Sequence, residues 1–165
     1  MRRALEDLLT APAPAKVALA VLAAALVVSV ATDLRLRRIL NAVTYPAMLA
    51  VVACVVLLGG PGLLLRASAG ALVCAGPLAF AMWRGWMGAG DVKLMAVAGL
   101  VAGAAAGWPF SLTLLADVAI AGGAQALLWS GAARLAGRAQ PRHVPYGVAI
   151  AAGTAWAFVA GAPFI

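Results

Sequence analysis

Apolar runs separated by short polar or glycine/proline breaks dominate the chain, and six can be marked: residues 17–32, 42–58, 67–83, 92–108, 110–130 and 144–164. Gly59-Gly60-Pro61-Gly62 separates the second from the third, Trp108-Pro109 the fourth from the fifth, and residues 137–141 precede the sixth. Each run has roughly the 20 residues that an α-helix needs to cross a bilayer. The pattern predicts an all-α, polytopic membrane protein: a bundle of about six transmembrane helices forming a single domain over 1–165, with 1–16 a short extracytoplasmic segment. No internal repeat stands out, which weighs against an inverted-repeat transporter.

Composition agrees, with 65% hydrophobic and 10% charged residues in 165. The net charge of +7 would suit a nucleic-acid ligand. The basic residues, however, fall in short clusters between apolar runs, so a lipid bilayer and no nucleic acid is the expected environment. The loops after the first, third and fifth segments hold Arg35, Arg37, Arg38, Arg84, Lys93, Arg134, Arg138 and Arg142, against Arg2, Arg3, Lys16 and Arg66 on the other side. The richer side is expected to face the cytoplasm, with both termini outside. Arg2 and Arg3 before an apolar run ending in Ser29-Val30-Ala31 resemble a cleavable leader, but Glu6, Asp7, Pro12 and Pro14 interrupt it, and no cleavage is expected. Cys54 and Cys74 lack metal-site spacing and read as buried, inert thiols.

Two of the five acidic residues, Asp33 and Asp91, fall at ends of apolar runs on the same predicted side. Residues 17–32 rise only about 24 Å, less than the roughly 30 Å hydrocarbon core, so the first helix is expected to continue past Asp33 and hold it just inside the boundary. Asp91 closes Gly88-Ala89-Gly90-Asp91, and the helix after it carries Ala98, Gly99, Ala102, Gly103 and Ala106, a small-residue band that admits a neighbouring helix closely. Asp91, Met95, Ala98 and Ala102 share a face, which points the carboxylate into the bundle. The two glycines give bending freedom and room for a substrate strand.

Paired carboxylates suit peptide hydrolysis, because an ionised one takes a proton from water while a protonated one polarises the carbonyl. Held a few ångströms apart, both do not ionise cheaply, and the pair shares a proton. Asp91 at a helix N-terminus suits the base and Asp33 the acid. The plainer alternative pairs Asp33 with Arg37 at i+4 and makes Asp91 an ordinary helix cap.

The surrounding residues favour the chemical reading. Asp33-Leu34-Arg35 with Arg38-Ile39-Leu40-Asn41 resembles the D-x-R…I-x-N segment of type IV prepilin peptidases. Gly88-Ala89-Gly90-Asp91-Val92-Lys93-Leu94 resembles their GxGDxKL element, and Pro145-Tyr146-Gly147 with the following 148–153 their closing segment. This resemblance implies a GxGD-class intramembrane aspartic endopeptidase with Asp33 and Asp91 catalytic and Gly88 and Gly90 in the active-site loop. It would remove the basic leader of a prepilin or pseudopilin at the cytoplasmic face of the inner membrane, without cofactor or metal. The paired C-x-x-C insertion of the longer bifunctional members is missing, so N-methyltransferase activity is not expected. The short form is similar to enzymes of tight-adherence (Flp) pilus systems, and also to archaeal preflagellin peptidases. Oligomeric state is not legible.

Arg35 and Lys93 are candidate substrate contacts or interfacial anchors, and Asn41 a candidate backbone partner or turn residue. Asp117 is a third membrane carboxylate, with Ser111, Thr113 and Gln125 as nearest polar company. His143 reads as solvated. Trp83, Trp86, Trp108 and Trp129 read as interfacial anchors and Trp156 as packing. Two other classes stay open: a small proton-coupled transporter using Asp33 or Asp117, and a non-catalytic pilus-assembly membrane protein.

Overall fold

The computed structural model describes residues 11–135 and 146–160. Of the residues singled out above, Arg2, Arg3, Glu6, Asp7, Arg138, Arg142, His143 and Pro145 lie outside them. Four helical elements follow one another: α1 (Ala13–Leu36), α2 (Asn41–Trp83), α3 (Ala89–Leu135) and α4 (Tyr146–Ala160). No strand occurs among the described residues. Helices α1, α2 and α3 are each long and apolar enough to cross a membrane, and α4 is a shorter apolar helix.

Both long elements double back. In α2 the backbone leaves helical geometry at Gly59 and Gly60, the latter at φ 61°, and in α3 at Gly107, φ 77°. Lys93 of α3 bonds Asn41, whereas Gly103 of the same helix lies against Arg66 and Ala67. Residues 93 and 103 are about 15 Å apart along α3, while a continuous helix would separate 41 and 66 by about 37 Å, so α2 must reverse. For α3, a side chain at Gly70 would begin 2.5 Å from the Gly99 carbonyl oxygen and 2.6 Å from Ser111 Oγ. Twelve residues of unbroken helix span about 18 Å, so α3 folds back at Gly107. Gly60 (φ 61°, ψ −153°) and Gly107 (φ 77°, ψ −169°) lie in a region essentially restricted to glycine, where a β-carbon-bearing residue costs about 1–3 kcal/mol, which is why glycine holds both corners.

The described residues therefore form six helical rods. Their boundaries follow the apolar runs, with differences at the ends. The first helix passes Asp33 to Leu36, as its short apolar length required. The third rod starts at Pro61 instead of residue 67, since proline suits a first turn, where no N–H bond is needed. The fourth starts at Ala89, and the fifth runs on to Leu135.

The interior is apolar, as in a water-soluble protein, but so is the outer surface. Leu49, Leu57, Leu65, Leu72, Leu127 and Leu128 are all more than 70% exposed and face outward, where lipid takes the place of water. Small residues fill the contact between the second arm of α2 and the first arm of α3, where Gly70, Gly99 and Gly103 bring backbone against backbone. Met95, Ala98 and Ala102 are fully buried, as the face through Asp91 predicted. Cys54 and Cys74 are free and buried. Trp156 corrects an expectation: it is 65% exposed and lies on the outer surface of α4, because Gly153, Thr154 and Ala157 take the inward face.

Candidate functional site

Helix α1 carries Asp33 in its last turn. Arg37 closes the helix in the left-handed region at φ 50°, and its N–H donates to the Asp33 carbonyl at 2.9 Å. The Asp33 side chain points inward and is only 7% exposed. Its Oδ2 accepts the Gly147 N–H at 2.8 Å. Gly147 lies in the first turn of α4, where backbone N–H groups have no partner within their own helix, so Asp33 satisfies one of them. A β-carbon at 147 would begin 2.8 Å from that same Oδ2, so only glycine lets the carboxylate approach. Tyr146 fixes the start of α4 by resting on Gly122, where a β-carbon would lie 2.5 Å from the tyrosine hydroxyl. Further along, Gly153 packs on the Val118 backbone.

Asp91 stands third in α3 and reaches back to accept the Gly88 N–H on its own Oδ2 at 3.2 Å. This is the acidic half of a capping box, in which a side chain in the first turn satisfies the N–H just before the helix. The plainer reading of Asp91 as a helix-end residue is thus part of the geometry. Pairing of Asp33 with Arg37 is not, since the two form no ion pair and the carboxylate turns to α4. The glycines before Asp91 differ in purpose. At Gly90 a β-carbon would begin 2.7 Å from Ile39 Cβ, so this residue lets α3 close on the α1–α2 connection. At Gly88 the nearest atom would be Asp91 Oδ2, at 3.2 Å.

Fifty-eight positions apart in sequence, Asp33 and Asp91 line one cavity of about 380 Å³. That volume is within the range of small-ligand and peptide pockets. Arg37, Arg38, Asn41 and Gly88 are among its other lining residues, with the backbone segments 37–41 and 88–91 forming its walls. Arg35 is exposed and does not line the cavity. The basic run Arg35-Leu36-Arg37-Arg38 was visible in sequence, but which of its members faces the cavity depends on where α1 ends.

Lys93 Nζ donates to Asn41 Oδ1 at 2.7 Å and lies 4.6 Å from the centre of the Tyr45 ring. The pair ties the start of α2 to the start of α3, a contact that neither residue's sequence context suggested. Asp117 is half-buried on the second arm of α3 and does not line the cavity. Arg84 stacks 5.3 Å from the Phe80 ring centre and 5.9 Å from those of Trp83 and Trp86, which are both exposed. The cavity end of the bundle carries Arg35, Arg37, Arg38, Arg84, Lys93 and Arg134, and the opposite end Lys16 and Arg66, among the described residues. In sequence Gly147 stands out only as part of a motif; its N–H becomes a partner for Asp33 through the packing of α4 on α1.

The family model described as the type IV leader peptidase family matches residues 20–127, well over half of the chain and including both aspartates. No curated protein and no solved structure matches the chain at a significant level.

Proposed function

The chain belongs to the type IV leader peptidase family, and from that premise we propose that Asp33 and Asp91 form an aspartic catalytic pair that cuts the leader from Flp-type prepilins. The observation that carries the reading is the shared cavity: two carboxylates from separate helices, each anchored through Oδ2 by a backbone N–H, line the same opening. With one proton between them, the ionised partner takes a proton from water as it attacks the scissile carbonyl. The protonated partner polarises that carbonyl and stabilises the tetrahedral oxygen. Collapse then passes a proton to the leaving amine.

The dipole argument that made Asp91 the base does not separate the two acids. Asp91 sits in the first turn of α3 and Asp33 against the first turn of α4, so both carboxylates meet the positive end of a helix. The proton is therefore assigned to the pair.

Cleavage on the cytoplasmic side follows from the basic residues gathered at the cavity end, by the positive-inside rule. About six crossings follow from the six rods, with inner-membrane location and both termini extracytoplasmic. The substrate's apolar segment stays in the bilayer while its leader reaches the cavity, where Arg37 and Arg38 are candidates to contact it, as is Lys93 beside the cavity-lining Asn41. The sequence carries two cysteines and no C-x-x-C motif, which supports the Flp-type reading. Incubating purified enzyme with a full-length Flp-type prepilin and following leader release tests the reading. Processing that survives both Asp33→Asn and Asp91→Asn sinks it.

A further inference from the structure

Six side-chain hydroxyls of the described residues form two contrasting sets. Thr32, Ser111 and Thr113 donate to backbone carbonyls three or four residues earlier, at 2.8–3.2 Å. Ser29, Thr44 and Thr154 are at most 1% exposed and have no hydrogen-bond partner among the described residues. An unpaired hydroxyl buried away from water costs about 1–3 kcal/mol, so each needs an occupant within reach.

Ser29, unlike Thr44 on α2 and Thr154 on α4, shares a helix with one of the two aspartates. It stands four residues before Asp33 on α1, so the two side chains share one face with β-carbons about 5–6 Å apart. Helical side chains lean towards the N-terminus, which tips the Asp33 carboxylate over the turn that holds Ser29. Ser29 Oγ has no hydrogen-bond partner, so the two side chains are not directly bonded, and their spacing accommodates two legs of about 2.8 Å through a single water. Among the described residues the one donor to the Asp33 carboxylate is Gly147 N–H, on Oδ2, which leaves Oδ1 to accept. Thr154 lies seven residues beyond Gly147 on α4. Helix α1 continues only three residues past Asp33, so α4, which packs on it, must run back along it. That places Thr154 about 10 Å deeper than Asp33, in a different layer from Ser29.

We propose that Ser29 is a positioning residue: together with Asp33 Oδ1 it binds one buried water on the bilayer side of the catalytic pair. Gly147 N–H on Oδ2 and this water on Oδ1 fix the plane of the carboxylate, so that it exchanges its proton with Asp91 and substrate across the cavity. The water is separate from the attacking one, which enters from the cavity. This inference rests on the assignment of Asp33 to catalysis.

The test uses the purified full-length enzyme in lipid and a prepilin substrate, with Ser29→Ala, Ser29→Cys, Asp33→Asn and, as a remote buried-hydroxyl control, Ser111→Ala. Cysteine nearly conserves the volume of serine but bonds water weakly. Both Ser29 variants are expected to lower kcat about tenfold, with KM within twofold and melting temperature within about 2 °C of wild type; Ser111→Ala keeps kcat within twofold. A Ser29→Cys enzyme with wild-type kcat shows that Ser29 only fills space and overturns the proposal. So does a loss that appears in KM, or in step with a fall in melting temperature. If Asp33→Asn is inactive while both Ser29 variants work normally, the water site alone fails; if Asp33→Asn cleaves, the catalytic assignment fails with it.

Discussion

Gly147 donates its backbone N–H to Asp33 Oδ2 at 2.8 Å, joining residues 114 positions apart at the meeting of α1 and α4. The bond is buried, so it positions the carboxylate without competition from solvent. It also ties the last helix to the cavity-lining Asp33, although that helix supplies no carboxylate.

A β-carbon at 147 would begin 2.8 Å from Oδ2 and 3.2 Å from Asp33 Cβ. Gly147→Ala is therefore expected to turn the carboxylate away from its place. A misplacement of about 1 Å costs up to about 10²-fold in rate, and a fall in kcat between about tenfold and 10²-fold is the expected outcome. Steady-state cleavage kinetics check it, and normal kcat would show that the approach of Gly147 to Asp33 does not matter to catalysis.

Asp33→Asn and Asp91→Asn leave an amide oxygen able to accept from Gly147 and Gly88 respectively, so both variants are expected to fold and insert normally. What they lose is the ability to ionise and share a proton. Each is expected to lower kcat by at least about 10²- to 10⁴-fold. On the proposed mechanism, which needs one proton on the pair, the wild-type rate should follow a bell-shaped pH profile. Leader release together with the amount of membrane-extracted protein separates lost chemistry from lost enzyme.

Helix positions, and the placing of Asp33 and Asp91 at one end of the bundle, were legible in the sequence because bilayer thickness and hydrogen-bonding demand impose long apolar runs, and a carboxylate at their ends stands out. The small-residue band after Asp91 was legible for the same reason, since only small side chains let α2 and α3 approach. Other features depended on long-range packing that no local pattern carries. The Lys93–Asn41 bond joins residues 52 apart, and Gly90 is required by Ile39, a neighbour only after α3 closes on the α1–α2 connection. Trp156 was misread because depth along an apolar helix does not reveal which face turns inward. The choice of Arg37 and Arg38 over Arg35 at the cavity rests on the left-handed residue that ends α1, a position that usually calls for glycine or asparagine.

The same packing separates glycines that can be replaced from those that cannot. A side chain at Gly99 would begin 2.7 Å from the Gly70 carbonyl oxygen and 2.8 Å from Ala71 Cα, both backbone atoms that cannot yield without moving a helix. At Gly76, on the same arm of α2, nothing lies within 4 Å. Gly99→Ala is expected to cost about 1–3 kcal/mol through overpacking, whereas Gly76→Ala should be neutral or gain up to about 1 kcal/mol from helix propensity. Thermal melting in detergent gives the order, and equal melting temperatures for the two variants would contradict this packing.

Lys93 offers a choice between two roles that the kinetics can separate. As a substrate contact it would act on its own, and replacing it would raise KM whether or not Asn41 is present. As a strut it acts through Asn41, because the 2.7 Å bond between them ties the turn that carries Asp91 to the start of α2. The bond is solvent-exposed, so it contributes little to global stability, on the order of 0–1 kcal/mol. Its effect on the relative position of the two aspartates can be larger than that, since the cavity lies between the segments it joins. Lys93→Met and Asn41→Ala are each expected to lower kcat/KM about three- to tenfold, and the double variant should be no worse than the poorer single one. That non-additivity, read as a coupling energy of about 0.5–1.5 kcal/mol in a double-mutant cycle, identifies the strut. Losses that simply multiply, with the Lys93→Met effect confined to KM, would instead put the lysine on the substrate.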